Sequence, residues 1–412
     1  MTSAPATVPD LTDPLTHLPP DGLDEVWAHL RREDPVHWHP GTATTPGFWV
    51  LTRHADVSAV LRDSTRFTSE RGNVLATMLH GGDSGAGSML AVTDGPHHTA
   101  LRTLLLKAFS PRALEGVVRQ VRRTSRRLVT EALERGGCDF AQDIASYVPL
   151  ATICDLLAVP ESDREHILTL TKSALASDYA NLQEGEDRLA RAELLLYFHD
   201  LVRHRRAHPG SDAISLMATE PAGSTLLDDD AIVLNCYSLI MGGDETSRLS
   251  MIGAVRTLAH DTGQWRALQD GTAPLKKATE EVLRWTTPTL HFGRAATEDV
   301  ELHGRTIAKG DLVTLWLCAA NRDERVFTDP HRFDLARTPN KHLSLGYGPH
   351  FCLGAYLGRV EITAMLDALR TFVGSVAQTG DEQRIYSNFL TGMSSLPVSL
   401  TPRSGPLPAW QE

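Results

Sequence analysis

No run of apolar residues in this chain approaches the roughly 18 that a membrane-spanning helix needs, and the polar, proline-rich opening has no basic-then-apolar signal pattern. A cytoplasmic protein with no membrane partner is predicted. Positive charge is also in short supply. Against 51 acidic residues stand 40 Lys and Arg, a formal charge of −11, and nucleic acid or an anionic membrane as partner would demand a basic face. Cysteine is scarce and odd in number, five in 412 residues, which argues against a disulfide framework. Cys138, Cys154, Cys236 and Cys318 each stand singly in apolar or helical surroundings. No pairing of Cys with Cys or His suggests zinc, an iron–sulfur cluster or a redox dithiol. There is no flavin or nicotinamide fingerprint and no repeat of solenoid period, so any redox chemistry must draw its electrons from another protein.

What the chain does have is a fifth cysteine in a different setting. Cys352 closes Leu345-Gly346-Tyr347-Gly348-Pro349-His350-Phe351-Cys352-Leu353-Gly354, immediately before a helical run. The glycines permit tight or left-handed turns, Pro349 fixes a bend, and Gly354 leaves room for a flat ligand. The start of the following helix adds a positive field and unpaired N–H groups, both of which favour a sulfur anion over a thiol. A thiolate held this way is a soft ligand for a metal, iron above all.

A second motif, Gly242-Gly243-Asp244-Glu245-Thr246-Ser247, interrupts a long apolar run that starts near Ile232. Two glycines and an acid–alcohol pair are poor material for the middle of a buried helix. A widened turn over a ligand, with the hydroxyl and carboxylate facing it, is the expectation. Glu281 and Arg284 sit three apart on one helical face, and Pro330-His331-Arg332-Phe333 follows at some remove.

The Cys352 segment resembles the haem-ligand loop of the cytochrome P-450 family, Phe-Gly-x-Gly-x-His/Arg-x-Cys-x-Gly, with Leu345 in place of the usual Phe. Gly242 to Ser247 resembles the family's oxygen-activation motif, differing only in Ser247. The resemblance runs from about Phe48 to Arg403. It implies haem b with Cys352 as the axial thiolate and metal ligand. Thr246 would hydrogen-bond dioxygen and hold a water, and Glu245 would relay protons inward; Asp244, at the variable position, receives no role. Glu281, Arg284 and Arg332 resemble the triad that braces the haem loop. The haem propionates would be held by His98 and Arg102, one helical turn apart in His98-Thr-Ala-Leu-Arg102, and by Arg294 and His350.

The family's fold is mainly α with small β-sheets, a triangular prism of helices around a buried haem. Residues 1–412 are accordingly read as a single domain, with a proline-rich segment at 1–20 and a tail at 404–412. Apolar recurrence at three and four predicts helices over Asp21–Arg32, Ala55–Leu61, Arg112–Arg135, Leu150–Leu157, Arg164–Ala176, Arg188–His208 and Asp228–Ala259. Gly47–Arg53 reads as a strand, and Val300–Leu315 as short strands turning at His303-Gly304 and Lys309-Gly310. Thr68 to Ser88 reads as a mobile loop, too glycine-rich for a regular element.

The expected activity is hydroxylation or another oxidation of a small molecule by dioxygen and two electrons from a ferredoxin and its reductase, in specialised-metabolite and antibiotic biosynthesis. Phenol coupling, ring closure or nitration on the same scaffold, or a haem sensor or carrier without turnover, are the alternatives. An acidic ferredoxin is expected on Lys107, Arg112, Lys341 and Arg359. Substrate contacts are expected from 74–89, Leu170–Leu182, Leu239, Gly243, Thr287, 289–292 and 386–393. These segments mix apolar residues with Thr289, His291, Tyr386, Ser387 and Asn388, which suggests a substrate with polar groups, either free or tethered to a carrier protein.

Overall fold

The computed structural model of the chain describes residues 8–19, 22–174 and 185–404, so much of the proposed N-terminal segment, nearly all of the tail and the second half of the 170–182 region lie outside the described residues. Helices dominate. The spacing of apolar residues located them to within a few positions: Asp24–Glu33, His54–Arg62, Glu115–Glu134, Tyr147–Leu156, Arg164–Ala174, Glu186–Ala207 and Asp229–His260.

The Asp229–His260 helix is the axis of the molecule. Its start is set by Asp228, whose side chain accepts the Ala231 N–H at 2.8 Å, with Asp229 and Asp230 in the first turn to complement the helix dipole. Its end is set by Asp261, which caps the next helix, Thr262–Gln269, through the N–H groups of Gly263 and Gln264. Along its second half Leu249, Ile252, Val255 and Leu258 are buried in one cluster with Ile362, Leu366 and Leu369 of the Ala355–Phe372 helix and with Val282 of the Leu275–Thr286 helix. Each such side chain stabilises the fold by about 1.5–3 kcal/mol. The three helices are thereby held in fixed relation, and residues of both motifs read from the sequence line one cavity.

The strands are peripheral. The largest sheet runs Val36–His39, Phe48–Leu51, Leu312–Trp316, His291–Ala296, Phe67–Thr68; all neighbours are antiparallel except Phe48–Leu51 beside Leu312–Trp316. Phe48–Leu51 and Leu312–Trp316 are buried at every position, as befits central strands covered on both faces. The alternating stretch after Val300 forms the expected hairpin, Val300–Leu302 with Arg305–Ile307, turning at His303-Gly304.

The segment from Thr68 to Ser88 corrects one expectation. It contains a short helix, Leu75–Leu79, whose Leu75 and Met78 are buried against the sheet, and the Leu75 N–H donates to His291 Nε2 at 3.3 Å. The glycines that suggested irregularity begin only after this helix ends, at Gly81. The apolar Val74 to Leu79 stretch just before them has a core to join.

Candidate active site

Between the central helix, the Cys352 loop and the largest sheet lies a cavity of about 850 Å³. The loop that forms its floor is determined by backbone conformation. Gly346 and Gly348 have φ of 69° and 73°, and a Cβ on Gly348 would stand 2.5 Å from the Leu61 carbonyl oxygen, so the chain passes His54–Arg62 only because that residue is glycine. The Cys352 N–H donates to the Leu345 carbonyl at 2.9 Å. The Cys352 side chain is half-buried and lines the cavity one turn before Ala355–Phe372 begins. Burial pushes its thiol above the ordinary value, while the Gly354 N–H and the charges of Arg102 and Arg359 pull the other way. A sulfur with a donor on one side and cations nearby is prepared to be an anion once a metal takes its open face.

Four basic side chains ring the same floor, two arginines and two histidines. His98, Arg102, Arg294 and His350, brought from three separate segments, all line the cavity. Arg102 Nη2 donates to the Phe351 carbonyl at 2.6 Å, tying its helix to the cysteine loop. His350 donates to Asp94 at 2.8 Å, and its ring stands 4.3 Å from that of His98. His98 Nε2 is buried without a hydrogen-bond partner. Burial, then the neighbouring His350 and Arg102, drives the His98 imidazole down to about 4. Arg294 is 3% exposed, is pushed down to about 10 by burial, and has no ion-pair partner among the described residues. Crowded, desolvated donors of this kind match the two carboxylates of a haem placed with its iron over Cys352. The residues present fit that group.

The middle of the central helix forms another wall of the cavity, and here the structure departs from the expectation. The helix runs through Gly242-Gly243 without a widened turn, and the Thr246 hydroxyl donates to the Gly242 carbonyl at 3.0 Å. A Cβ at Gly242 would meet nothing within 4 Å, so that glycine opens the wall toward the cavity. Thr246 and Ser247 line the cavity; Glu245 does not. The Glu245 carboxylate is fully buried and accepts from Arg248 Nη2 at 2.6 Å and Nε at 3.2 Å. The hydroxyl and the carboxylate of the motif thus sit on different sides of the helix, because adjacent helical residues are about 100° apart.

Two further acids emerge that sequence reasoning left without a role. Asp244 is wholly buried, and neither of its oxygens has a hydrogen-bond partner. Glu361, in the helix after Cys352, lines the cavity and meets the hydroxyls of Ser247 and Thr152. Glu361 had a legible signal. It falls on the stripe Leu357, Glu361, Ala364, Ala368, where an acid interrupts an otherwise apolar face.

Behind the cysteine loop Glu281 and Arg284 form the expected pair, both 0% exposed, with Arg284 donating at 2.7 and 2.8 Å. The third member is corrected. Arg337 Nε reaches both Glu281 oxygens at 3.1 and 3.0 Å, whereas Arg332 is exposed and contributes only its carbonyl, which accepts from Arg284 and Arg337. Asn340 and the Asp334 N–H complete the Glu281 shell at 3.0 and 2.9 Å. The chain between Pro330 and Leu345 takes a path that returns Arg337, not Arg332, to the helix.

Of the expected substrate contacts, Val74, Leu239, Thr289, Phe292 and Tyr386 line the cavity. Thr287 and His291 do not: Thr287 donates to the Arg284 carbonyl, and His291 is buried behind the wall against Trp316. Asn235, Tyr237 and Arg191 line the cavity too, from positions whose periodicity had marked them only as helix. Two of the four basic residues expected to meet a ferredoxin are paired within the chain, Lys107 with Glu220 and Arg359 with Glu280. No helix among the described residues is long and apolar enough to cross a membrane.

A family model described as cytochrome P450 matches residues 273–401, which include Glu281, Arg294 and Cys352. The cytochrome P450 NovI of Streptomyces niveus is 49% identical over 392 residues, spanning 95% of this chain and 96% of that one. The crystal structure of P450 OxyD, which is involved in the biosynthesis of vancomycin-type antibiotics, superposes with a TM-score of 0.87 at 34% identity, over 96% of this chain and 100% of that one. P450BioI, solved in complex with an acyl carrier protein ligated to hexadec-9Z-enoic acid, superposes with a TM-score of 0.80 at 27% identity, over 91% of this chain and 98% of that one.

Proposed function

The chain belongs to the cytochrome P450 family of haem-thiolate monooxygenases, and we propose that it works as one unit to hydroxylate a small molecule carrying polar groups, in the assembly of an antibiotic or related specialised metabolite. The observation behind this reading is that Cys352 and Thr246 line one cavity of about 850 Å³ together with His98, Arg102, Arg294 and His350. When bound, the haem supplies the oxygen chemistry of the family. In this reading Cys352 would hold its iron, and His98, Arg102, Arg294 and His350 would hold its propionates.

The chain's own residues then have four tasks. Leu239, Phe292 and Leu390 give the cavity apolar surface, while Tyr237, Ser238 and Tyr386 add polar side chains to its lining. Thr246 places a hydroxyl at the wall; to donate into the cavity it must turn from the Gly242 carbonyl, which a single rotation about its side-chain bond permits. Glu245 can relay a proton to that side only if its pair with Arg248 opens. Finally, His98 and Arg294 are buried, so water screens their interaction with a bound carboxylate only weakly.

Electrons come from a separate ferredoxin and reductase. Arg112 and Lys341 are exposed and free to meet an acidic ferredoxin, and exposed Tyr347 and Phe351 flank the cysteine loop with apolar surface. The carrier-protein complex of P450BioI supports a substrate delivered on a carrier arm as the form this cavity receives. A spectral titration of the ferric protein tests the reading. Free aromatic acids and amino acids are compared with the same compounds tethered to a carrier protein, following displacement of the water on iron. A shift only with tethered compounds supports carrier delivery; a shift with free compounds removes the carrier; no haem band in the wild type, or an unchanged band in Cys352→Ala, overturns the site.

A further inference from the structure

One wall of the cavity, the stretch from Asp83 to Val92, is bonded almost entirely to itself. The N–H groups of Ser88 and Met89 both donate to the Gly85 carbonyl, at 3.0 and 2.8 Å, and the Gly87 N–H donates to the Val92 carbonyl at 3.1 Å. Gly87 closes that turn with φ of 78°. Among the described residues, no backbone hydrogen bond ties this stretch to another element. Yet Met89, Leu90 and Ala91 line the cavity, so something must hold them there. A single side chain from elsewhere in the described fold hydrogen-bonds the stretch, and it is Asn235 of the central helix.

Asn235 is 1% exposed. Its Oδ1 accepts the Leu90 N–H at 3.0 Å, and its Nδ2 donates to the Ser88 carbonyl at 2.9 Å and to the Ala231 carbonyl at 2.7 Å. Both amide hydrogens are thus engaged, and the opposite orientation would set Oδ1 against two carbonyls. The bond to Ala231, one turn back in the same helix, aims the rest of the amide at the loop. Asn235 begins the stripe Asn235, Leu239, Gly242, Thr246, all of which line the cavity at helical spacing. Eleven residues separate its ends, which places Asn235 about 16 Å along the helix axis from Thr246. The amide therefore serves the wall at the end of the cavity remote from that hydroxyl.

We propose that Asn235 is a positioning residue for substrate choice: by holding Ser88 and Leu90 it fixes the Met89 to Ala91 wall, and so makes the cavity select a compact substrate over one with a long chain. The physical reason is the cost of orphaned backbone groups. Without the amide, the Ser88 carbonyl and the Leu90 N–H lose their partners at a half-buried position, and both regain them in water if the stretch swings outward. Nothing in its own backbone bonding opposes that movement. The cavity would then lengthen along the central helix, past Asn235, while the wall around Thr246 stays as it is.

The inference rests on the monooxygenase reading for its meaning in turnover but not for its tests. The probes are 1-methylimidazole, 1-butylimidazole and 1-dodecylimidazole, whose free ring nitrogen ligates haem iron and moves the Soret band. Relative to wild type, Asn235→Ala should leave the Kd of 1-methylimidazole within about twofold and tighten that of 1-dodecylimidazole about tenfold. Hydrogen exchange of the Leu90 amide should quicken by about tenfold or more, with the amides of Asp229–His260 unchanged. Asn235→Asp adds a test that a merely structural role would not move. A carboxylate cannot donate to the Ser88 carbonyl and a protonated carboxyl group can, so this variant should approach wild-type discrimination as pH falls and resemble Asn235→Ala as pH rises. Leu90→Pro removes the other end of the contact, and Met89 already has the extended backbone, φ −92° and ψ 130°, that a residue before proline requires. It should reproduce part of the Asn235→Ala effect, and Leu90→Ala, which keeps the N–H, should not. Discrimination unchanged in Asn235→Ala, with a Leu90 amide as protected as in wild type, overturns the proposal. So does equal weakening of all three compounds at every pH, which makes Asn235 a residue of general stability. A wild type that binds no haem removes the monooxygenase reading, and exchange of the Leu90 amide still decides whether Asn235 holds the wall.

Discussion

Two buried acid clusters flank the cavity, and they differ in one respect. On the cysteine side Glu281 is surrounded by donors: Arg284 twice, Arg337, Asn340 and the Asp334 N–H. On the opposite side Asp244 has none, and Glu245 Oε1 is likewise unpartnered. Glu281, Asp244 and Glu245 are all wholly buried, so exposure does not separate them. Satisfaction does. A buried carboxylate whose every lone pair is engaged holds backbone segments at fixed distances, whereas one left short of donors keeps a proton and can give it up. The first arrangement braces the loop that presents Cys352; the second stands behind the wall where Thr246 and Ser247 face the cavity.

The contrast can be broken most severely at Glu281. Glu281→Ala leaves Arg284 and Arg337 buried without a counter-charge, and should cost about 3–5 kcal/mol, measured by urea unfolding, with loss of haem incorporation at physiological temperature. A stable, haem-replete Glu281→Ala protein would remove the brace from the comparison. Next in size is Thr246→Ala, expected to lower product per electron about 10²-fold with little change in unfolding midpoint, since that hydroxyl serves the cavity and not the packing.

The two arginines after Pro330 sharpen the brace itself. Arg337→Ala should destabilise by a few kcal/mol, approaching the cost of Glu281→Ala, whereas Arg332→Ala should stay within about 0.5 kcal/mol of wild type because its side chain is exposed and only its carbonyl is used. The reverse order would restore Arg332 to the triad.

The smallest effects lie in the pH dependence of stability, and they have opposite signs on the two sides. Near the brace, Glu280 would be raised by burial, but His342 and Arg359 hold it down at about 2 against an ordinary 4.5. Its contribution is therefore present above about 4.5 and is lost as pH falls toward 2. Asp244 is raised from 3.8 to about 8, so the folded state binds the extra proton and stability drains away as pH climbs between those values. Glu280→Gln should flatten the acid limb of a thermal-melt profile and Asp244→Asn the decline between about pH 4 and about pH 8. Identical slopes for Asp244→Asn and wild type would mean that Asp244 is ionised in the fold.

Several parts of this molecule were legible in order along the chain. Cys352 could be found because glycine, proline and cysteine at that spacing leave one backbone path, and φ of 69° and 73° at Gly346 and Gly348 is the conformation those residues exist to adopt. Helices such as Asp229–His260 could be found because burial of one face imposes a period of three and four residues. The fold class and the cationic rim followed from the family resemblance.

Other features depend on where distant segments meet. Arg337 and Arg332 are equally basic and five residues apart; which one reaches Glu281 depends on the course of an irregular segment that no periodicity describes. Glu245 and Asp244 are adjacent acids in one motif, yet only Glu245 accepts hydrogen bonds from Arg248. Thr287 and Thr289 are two residues apart, and one serves a backbone carbonyl while the other lines the cavity. By itself the sequence determined which backbone conformations and which buried faces were possible. Tertiary structure alone decided which buried charges found partners, because hydrogen bonds act over about 3 Å and only packing brings groups that close.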